Sequence, residues 1–147
     1  MGRIRILLVD DHESVRKGLD VFLGTCADME VVGEADHQQN ARQLCRLQQP
    51  DVLLVDIELG ARGNQDGIAL VRAVHVEMPR ARALILSGFV SETLLEAALE
   101  AGAAGYLVKN VTVDFLAESI RRVAAGERVL CPSARLVYQR LYPGEPF

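Results

Sequence analysis

The hydrophobic positions of this chain alternate between two kinds of segment. Short, nearly continuous aliphatic runs are typical of parallel strands that are covered on both faces. Four runs have this form, at residues 4–9, 52–55, 83–86 and 105–108. A fifth run, at residues 29–35, is more polar and predicts a strand at the edge of the sheet.

The segments between these runs carry apolar residues at helical spacing, so each predicts a helix with one apolar face. Pro79 ends the third helix, because proline does not continue a helix. Ser91 can cap a fourth helix that runs to Glu100, with Gly102 just beyond its end, and a fifth helix stops before Gly126. The order (βα)5 predicts an α/β fold with a doubly wound parallel sheet.

Composition narrows the possible functions. The chain has 147 residues, 50% of them hydrophobic and 24% charged, which suits one globular domain. A formal net charge of −4 argues against binding of a nucleic-acid backbone by this chain alone, since that requires clustered lysine and arginine. We expect no signal peptide and no membrane helix, which needs ~20 apolar residues. Cys26, Cys45 and Cys131 lack metal-site spacing, so we expect reduced thiols in a cytoplasmic protein.

Polar residues follow the predicted strands, at the edge where a doubly wound sheet binds its ligand. They are Asp10 and Asp11 after the first strand, Asp56 after the third, Ser87 after the fourth and Lys109 after the fifth. Crowded carboxylates repel one another unless a cation neutralises them, and Mg²⁺ prefers oxygen ligands. The pattern predicts a magnesium site at the paired aspartates. Asp56 is then a nucleophile that can form an acyl phosphate, with Lys109 offsetting phosphoryl charge and Ser87 donating a hydrogen bond.

Four strings of residues resemble the receiver domain of a bacterial two-component response regulator. They are LLVDDH, DVLLVDIEL, LILSGF and AGAAGYLVKN, in the order and places that the family uses. The resemblance covers roughly residues 3 to 127, and the last string is most similar to the NarL/LuxR subfamily, whose receivers precede a helix-turn-helix DNA-binding domain. It implies a flavodoxin-like sandwich with five parallel strands in the order 2-1-3-4-5.

The resemblance implies roles for the acidic residues. Asp56 would be the phosphoacceptor. Mg²⁺ would be bound by Asp11, Asp56 and the backbone carbonyl of Glu58, with Asp10 assisting through water. The phosphoryl donor would be a sensor histidine kinase, and the phosphorylated chain would form a homodimer. Such a domain is not an enzyme in the usual sense, although it catalyses its own phosphorylation and dephosphorylation.

The resemblance also implies a switch. Ser87 and Lys109 would read the phosphoryl group, and Tyr106 is similar to the aromatic residue that swings inward when the switch hydroxyl moves. Glu58 and Phe89 would tune dephosphorylation by admitting or excluding water, and we expect Phe89 to dominate through its bulk.

Three features depart from the family pattern. In DIELGARGNQDG, Gly60 stands where proline is usual, and the segment is about three residues longer, so we expect a more mobile loop. Asn110 replaces the proline that usually follows the lysine, so a cis bond after Lys109 is not expected, because it costs about 2.5–4 kcal/mol without proline. Residues 128–147 resemble a linker to a DNA-binding domain, which gives a receiver at 1–127 followed by a linker-like tail.

The same residues are compatible with other interpretations. Taken singly, Asp10 or Asp11 is typical of a helix start, where the helix dipole stabilises an acidic side chain. Tyr106 is typical of a half-buried aromatic residue in a strand. His12 is typical of a solvated neighbour of such aspartates, so we assign it no role. A stand-alone receiver that signals by protein contact remains open. A haloacid-dehalogenase-like phosphatase requires its nucleophile on the first strand with an acid two positions later, where this chain has His12. A nucleotide-binding module requires a glycine-rich turn that VDDHES lacks.

Overall fold

Strands and helices alternate as the hydrophobic pattern predicts. The computed structural model describes residues 2–59 and 64–147. The strands are β1 Ile4–Val9, β2 Met29–Ala35, β3 Val52–Asp56, β4 Arg82–Ser87, β5 Gly105–Val108 and β6 Val129–Leu130. The helices are α1 Glu13–Gly24, α2 Gln38–Gln48, α3 Asn64–Glu77, α4 Glu92–Glu100, α5 Val113–Ala124 and α6 Pro132–Leu141.

All strand pairs are parallel, and the sheet has the order β2-β1-β3-β4-β5-β6. The flavodoxin-like class and the order of the first five strands are therefore confirmed. Strand β2 lies at the edge, as its polar composition predicts. Strand β3 is buried along all five residues, because it lies inside the sheet with helices covering it.

The predicted helix ends are confirmed for the fourth and fifth helices. The Ser91 hydroxyl accepts a hydrogen bond from the Leu94 N–H at 3.1 Å, and Thr112 accepts one from the Phe115 N–H at 3.0 Å. Gly102 follows α4 with a φ of +100°, a conformation that favours glycine. The two N-terminal caps fix where α4 and α5 begin, and therefore where the loops that follow β4 and β5 end.

The sheet has one strand more than the five predicted, because the tail adds β6 to its edge. In β6, Val129 pairs with Gly105 and Leu130 pairs with Tyr106. Helix α6 packs against α4, and Arg140 pairs with Glu92 at 3.4 Å. The physical reason is an apolar stripe on α6 that the prediction did not use; its buried members are Ala134, Val137 and Tyr138. Whether a further domain follows stays a prediction.

Every peptide bond in the described residues is trans, including the bond that joins Lys109 to Asn110. The loop expected to be longer and more mobile falls on residues 60–63, outside the described residues.

Cys45 and Cys131 are buried thiols, and burial raises the pKa of Cys45 to about 12. None of the described helices combines the length and apolar character that crossing a membrane requires.

Candidate functional site

The carboxyl ends of β1 and β3 lie side by side in the sheet and bring three aspartates together. Asp56 is the last residue of β3, and Asp10 directly follows β1. Both are nearly buried, at 3% and 4% exposure, whereas Asp11 is exposed. One oxygen of each aspartate and a ring nitrogen of His12 lie within 4.8 Å of one another. The structure thus forms the predicted acidic pocket at the predicted edge.

Asp56 is held by two donors. Its Oδ2 atom accepts a hydrogen bond from Lys109 Nζ at 3.1 Å, and its Oδ1 atom accepts one from the Glu58 N–H at 3.0 Å. The backbone N–H of Lys109 donates to the Ser87 carbonyl at 2.8 Å, which fixes the ends of β4 and β5 together. Both carboxylate oxygens are therefore satisfied, as a buried acid requires.

Ser87 and Tyr106 lie behind the acidic pocket and are joined through Phe89. Ser87 follows Leu86, which pairs with Asp56 across the sheet. The fully buried Ser87 hydroxyl accepts a 3.4 Å hydrogen bond from the Phe89 N–H. The Tyr106 hydroxyl donates to the Phe89 carbonyl at 2.8 Å.

Tyr106 is completely buried, so its ring occupies the inward position in this structure. Burial raises the pKa of the Tyr106 hydroxyl, and the neighbouring Ser87 hydroxyl partly opposes that rise. The group remains a hydrogen-bond donor. Phe89 is 53% exposed, and Glu58 is also exposed, so both side chains border solvent beside the pocket. Their effect on dephosphorylation stays a prediction.

His12 is the site residue that sequence reasoning missed. Its Nδ1 atom lies 2.9 Å from Asp10 Oδ1, 3.1 Å from Asp11 Oδ1 and 3.9 Å from Asp56 Oδ2. The hydrogen bond to Asp10, followed by the negative charges of Asp10 and Asp11, raises the pKa of His12. Its position directly after the paired aspartates was the available signal.

The donor set suits a hard divalent cation. Three carboxylates lie within reach of one ion, and Mg²⁺ is typically bound through one or two carboxylates together with water and phosphate oxygens. Asp11 presents its exposed carboxylate at the mouth of the pocket, whereas Asp10 Oδ1 already accepts the His12 N–H at 2.8 Å. The pocket is therefore consistent with metal binding.

A flavodoxin-like sheet with an acidic pocket and a lysine at its strand ends defines the receiver class of signalling domain. Residues 6–121 match the family described as the response regulator receiver domain. The chain belongs to that family.

A curated response regulator is similar to most of this chain. The response regulator protein VraR of Staphylococcus aureus (strain NCTC 8325 / PS 47) is 32% identical over 129 residues, which cover 88% of this chain and 60% of VraR. The chain therefore spans about 60% of the length of the curated relatives it matches.

Two solved structures show the same fold. The signal receiver domain of NarL from Mycobacterium tuberculosis has a TM-score of 0.80 and 30% identity, over 86% of this chain and 100% of that one. A LuxR-family two-component response regulator from Aurantimonas sp. SI85-9A1 has a TM-score of 0.86 and 31% identity, over 95% of this chain and 99% of that one. The resemblance to NarL/LuxR-type receivers is thus confirmed.

Proposed function

We propose that this receiver domain accepts a phosphoryl group on Asp56 from a sensor histidine kinase and changes conformation to control transcription. One observation carries the proposal. Asp56 is a nearly buried carboxylate at the end of a central strand, with Lys109 Nζ at 3.1 Å and two further aspartates within reach. No other carboxylate in the described residues combines these contacts.

In the proposed reaction, an oxygen of Asp56 attacks the phosphorus of a phosphohistidine. A P–O bond forms, and the P–N bond breaks, so the imidazole of the kinase departs. Lys109 offsets negative charge on the transferring oxygens, and the Glu58 N–H orients the carboxylate. Mg²⁺ bound by Asp11 and Asp56, with the Glu58 carbonyl and with Asp10 through water, would neutralise the remaining charge. The proposal also includes that the domain promotes its own phosphorylation and dephosphorylation.

The switch is proposed to run through the backbone at Phe89. A phosphoryl oxygen on Asp56 would accept a hydrogen bond from the Ser87 hydroxyl. That hydroxyl now accepts a hydrogen bond from the Phe89 N–H, and the Phe89 carbonyl accepts one from the Tyr106 hydroxyl. Movement of Ser87 therefore alters the contact that holds Tyr106. Glu58 and Phe89 are proposed to set how readily water reaches the acyl phosphate.

The partners follow from similarity to regulators that are longer than this chain. We propose that the protein acts in the cytoplasm and that the phosphorylated domain forms a homodimer. DNA would be bound only by a C-terminal domain separate from the receiver. The similarity to VraR and to NarL/LuxR-type receivers supports this proposal.

Asp56→Asn tests the proposal directly. With acetyl phosphate and Mg²⁺, the unsubstituted protein should gain one base-labile phosphoryl group, measured by intact mass. Asp56→Asn should gain none, because the amide is not a nucleophile for phosphorus. Asp20→Asn, on the exposed face of α1, is the matched control and should be labelled normally. Equal labelling of all three proteins would overturn the assignment.

We also expect the two adjacent aspartates to differ in magnesium affinity. Asp11→Asn should weaken Mg²⁺ binding by roughly tenfold or more, because it removes a charged direct ligand. Asp10→Asn should have the smaller effect, since the His12 N–H and ring already engage Asp10 Oδ1. Calorimetric titration of the unphosphorylated proteins measures both, with thermal melts to verify folding. The opposite ranking would exchange the two roles.

A further inference from the structure

We propose that His12 is a fourth donor of the acidic pocket, and that its imidazole biases the pocket toward late first-row metal ions relative to Mg²⁺. The inference rests on the proposed cation pocket and goes beyond it by adding a nitrogen ligand. The ring nitrogen Nδ1 of His12 belongs to the same cluster of possible ligand atoms as Asp10, Asp11 and Asp56. Among the described residues this is the one such cluster.

The distances fit a shared ion. Ligands about 2.1 Å from a six-coordinate cation, at right angles to each other, lie about 3.0 Å apart. Nδ1 of His12 lies 2.9 Å from the Asp10 oxygen and 3.1 Å from the Asp11 oxygen, with the Asp56 oxygen at 3.9 Å. One cation can therefore contact the ring and a carboxylate without a large movement of either.

The backbone already holds His12 in place. Its N–H donates to Asp10 Oδ1 at 2.8 Å, and the residue occupies the extended N-cap position of α1, with φ −99° and ψ 110°. This local bond orders the turn before any ligand arrives. The ring is 60% exposed, so little desolvation opposes coordination at the mouth of the pocket.

The chemistry of imidazole determines the preference. Carboxylates and water suit Mg²⁺, whereas imidazole nitrogen suits Fe, Ni, Cu and Zn. A pocket with three carboxylates alone favours a hard ion. With His12 included, the donor set becomes mixed nitrogen and oxygen, which strengthens binding of a nitrogen-accepting ion selectively. Because Nδ1 carries no proton when it coordinates an ion, its hydrogen bond to Asp10 Oδ1 is lost on metal binding, and the cation takes the place of that proton beside the Asp10 carboxylate.

The chain contains a matched control for this histidine. His37 has a ring exposure of 59% and contacts one carboxylate, with its Nδ1 atom 2.6 Å from Asp36 Oδ1. It therefore resembles His12 in exposure and in its acidic neighbour, but it lies outside the cluster of the three aspartates. A general effect of losing a histidine–aspartate pair would appear equally at both positions.

The experiment measures Ni²⁺ and Mg²⁺ binding by calorimetry in the full chain, in His12→Gln and in His37→Gln. The titrations are run at pH 8, because a metal ion binds the neutral ring. His12→Gln should lose about tenfold or more of its Ni²⁺ affinity, while its Mg²⁺ affinity changes by less than about threefold. His37→Gln should keep both affinities. In ¹H–¹⁵N spectra, paramagnetic Ni²⁺ should broaden the His12 ring signals before those of His37.

The outcomes separate this inference from the function it rests on. Normal Mg²⁺ binding and phosphorylation, with unchanged Ni²⁺ affinity in His12→Gln, would overturn the role of His12 alone. An equal loss of both ions in His12→Gln would also overturn it, because a nitrogen ligand must discriminate between them. If the unsubstituted protein binds neither ion, the proposal that the acidic pocket is a cation site is itself overturned.

Discussion

A chain that ends at Glu127 is expected to unfold at a markedly lower temperature than the full chain. Removal of residues 128–147 uncovers the surface against which Leu130, Val137 and Tyr138 are buried. Burial of one large apolar side chain contributes about 1.5–3 kcal/mol, partly offset by the entropy of ordering the segment. We therefore expect a net loss of a few kcal/mol. The freed edge of β5 should also promote aggregation, because its peptide groups lose their partners.

Scanning calorimetry measures this effect, and a shorter truncation provides the control. A chain that ends at Tyr142 keeps β6 and α6 and removes only the terminal contacts, in which Phe147 packs edge-on against Tyr138 and beneath Arg128. This chain should unfold at a temperature close to that of the full chain. If the chain ending at Glu127 is as stable as the full chain, residues 128–147 act as the simple linker that their sequence resembles.

The tail also touches the proposed switch. The Cys131 N–H donates to the Tyr106 carbonyl at 3.2 Å, while the hydroxyl of the same tyrosine donates to the Phe89 carbonyl. Tyr106 therefore joins the loop beside the acidic pocket to the first residues of the tail. Truncation at Glu127 removes one of these two attachments, so it tests the tail as part of the receiver as well as its stability.

Four of the first five strands were predictable because each is a distinct aliphatic run, and β2 was predictable as a more polar run of seven residues at the edge. Strand β6 was not, since Val129 and Leu130 form a strand of two residues, too short for any period to appear. The stripe on α6 is interrupted by arginines, and the resemblance of residues 128–147 to a linker gave no reason to expect a further strand there. Packing against α4, which no local pattern encodes, decides that these residues are ordered.

The site was predictable where the backbone alone fixes a residue. Asp10, Asp56 and Lys109 follow or end central strands, so the topology of the sheet brings them together. His12 was not predictable in this way, because the direction of a ring at a helix start depends on side-chain torsions rather than on spacing. The link from Ser87 to Tyr106 was hidden for another reason, since it passes through the backbone of Phe89.

Gly67→Ala is expected to destabilise the protein by about 1–3 kcal/mol or more, because the added methyl group overpacks a rigid contact. Gly67 lies in α3, and a Cβ atom there would clash with the Ile57 carbonyl oxygen and lie 2.8 Å from the Ile57 Cα. Both are backbone atoms of the residue that directly follows Asp56. Relief of the clash therefore requires α3 to move away from the end of β3, or the backbone beside the phosphoacceptor to shift.

Gly18→Ala is the matched control for this substitution. Gly18 lies within α1, and its added Cβ would meet nothing within 4 Å. Alanine should stabilise that helix by up to about 1 kcal/mol, through its higher helix propensity. Urea unfolding should show a lower free energy of unfolding in Gly67→Ala and a higher one in Gly18→Ala. Acetyl phosphate labelling of the folded proteins should be slowed only in Gly67→Ala. Equal stability of the two variants would contradict the prediction, because it would require α3 to accept the methyl group without displacing Ile57.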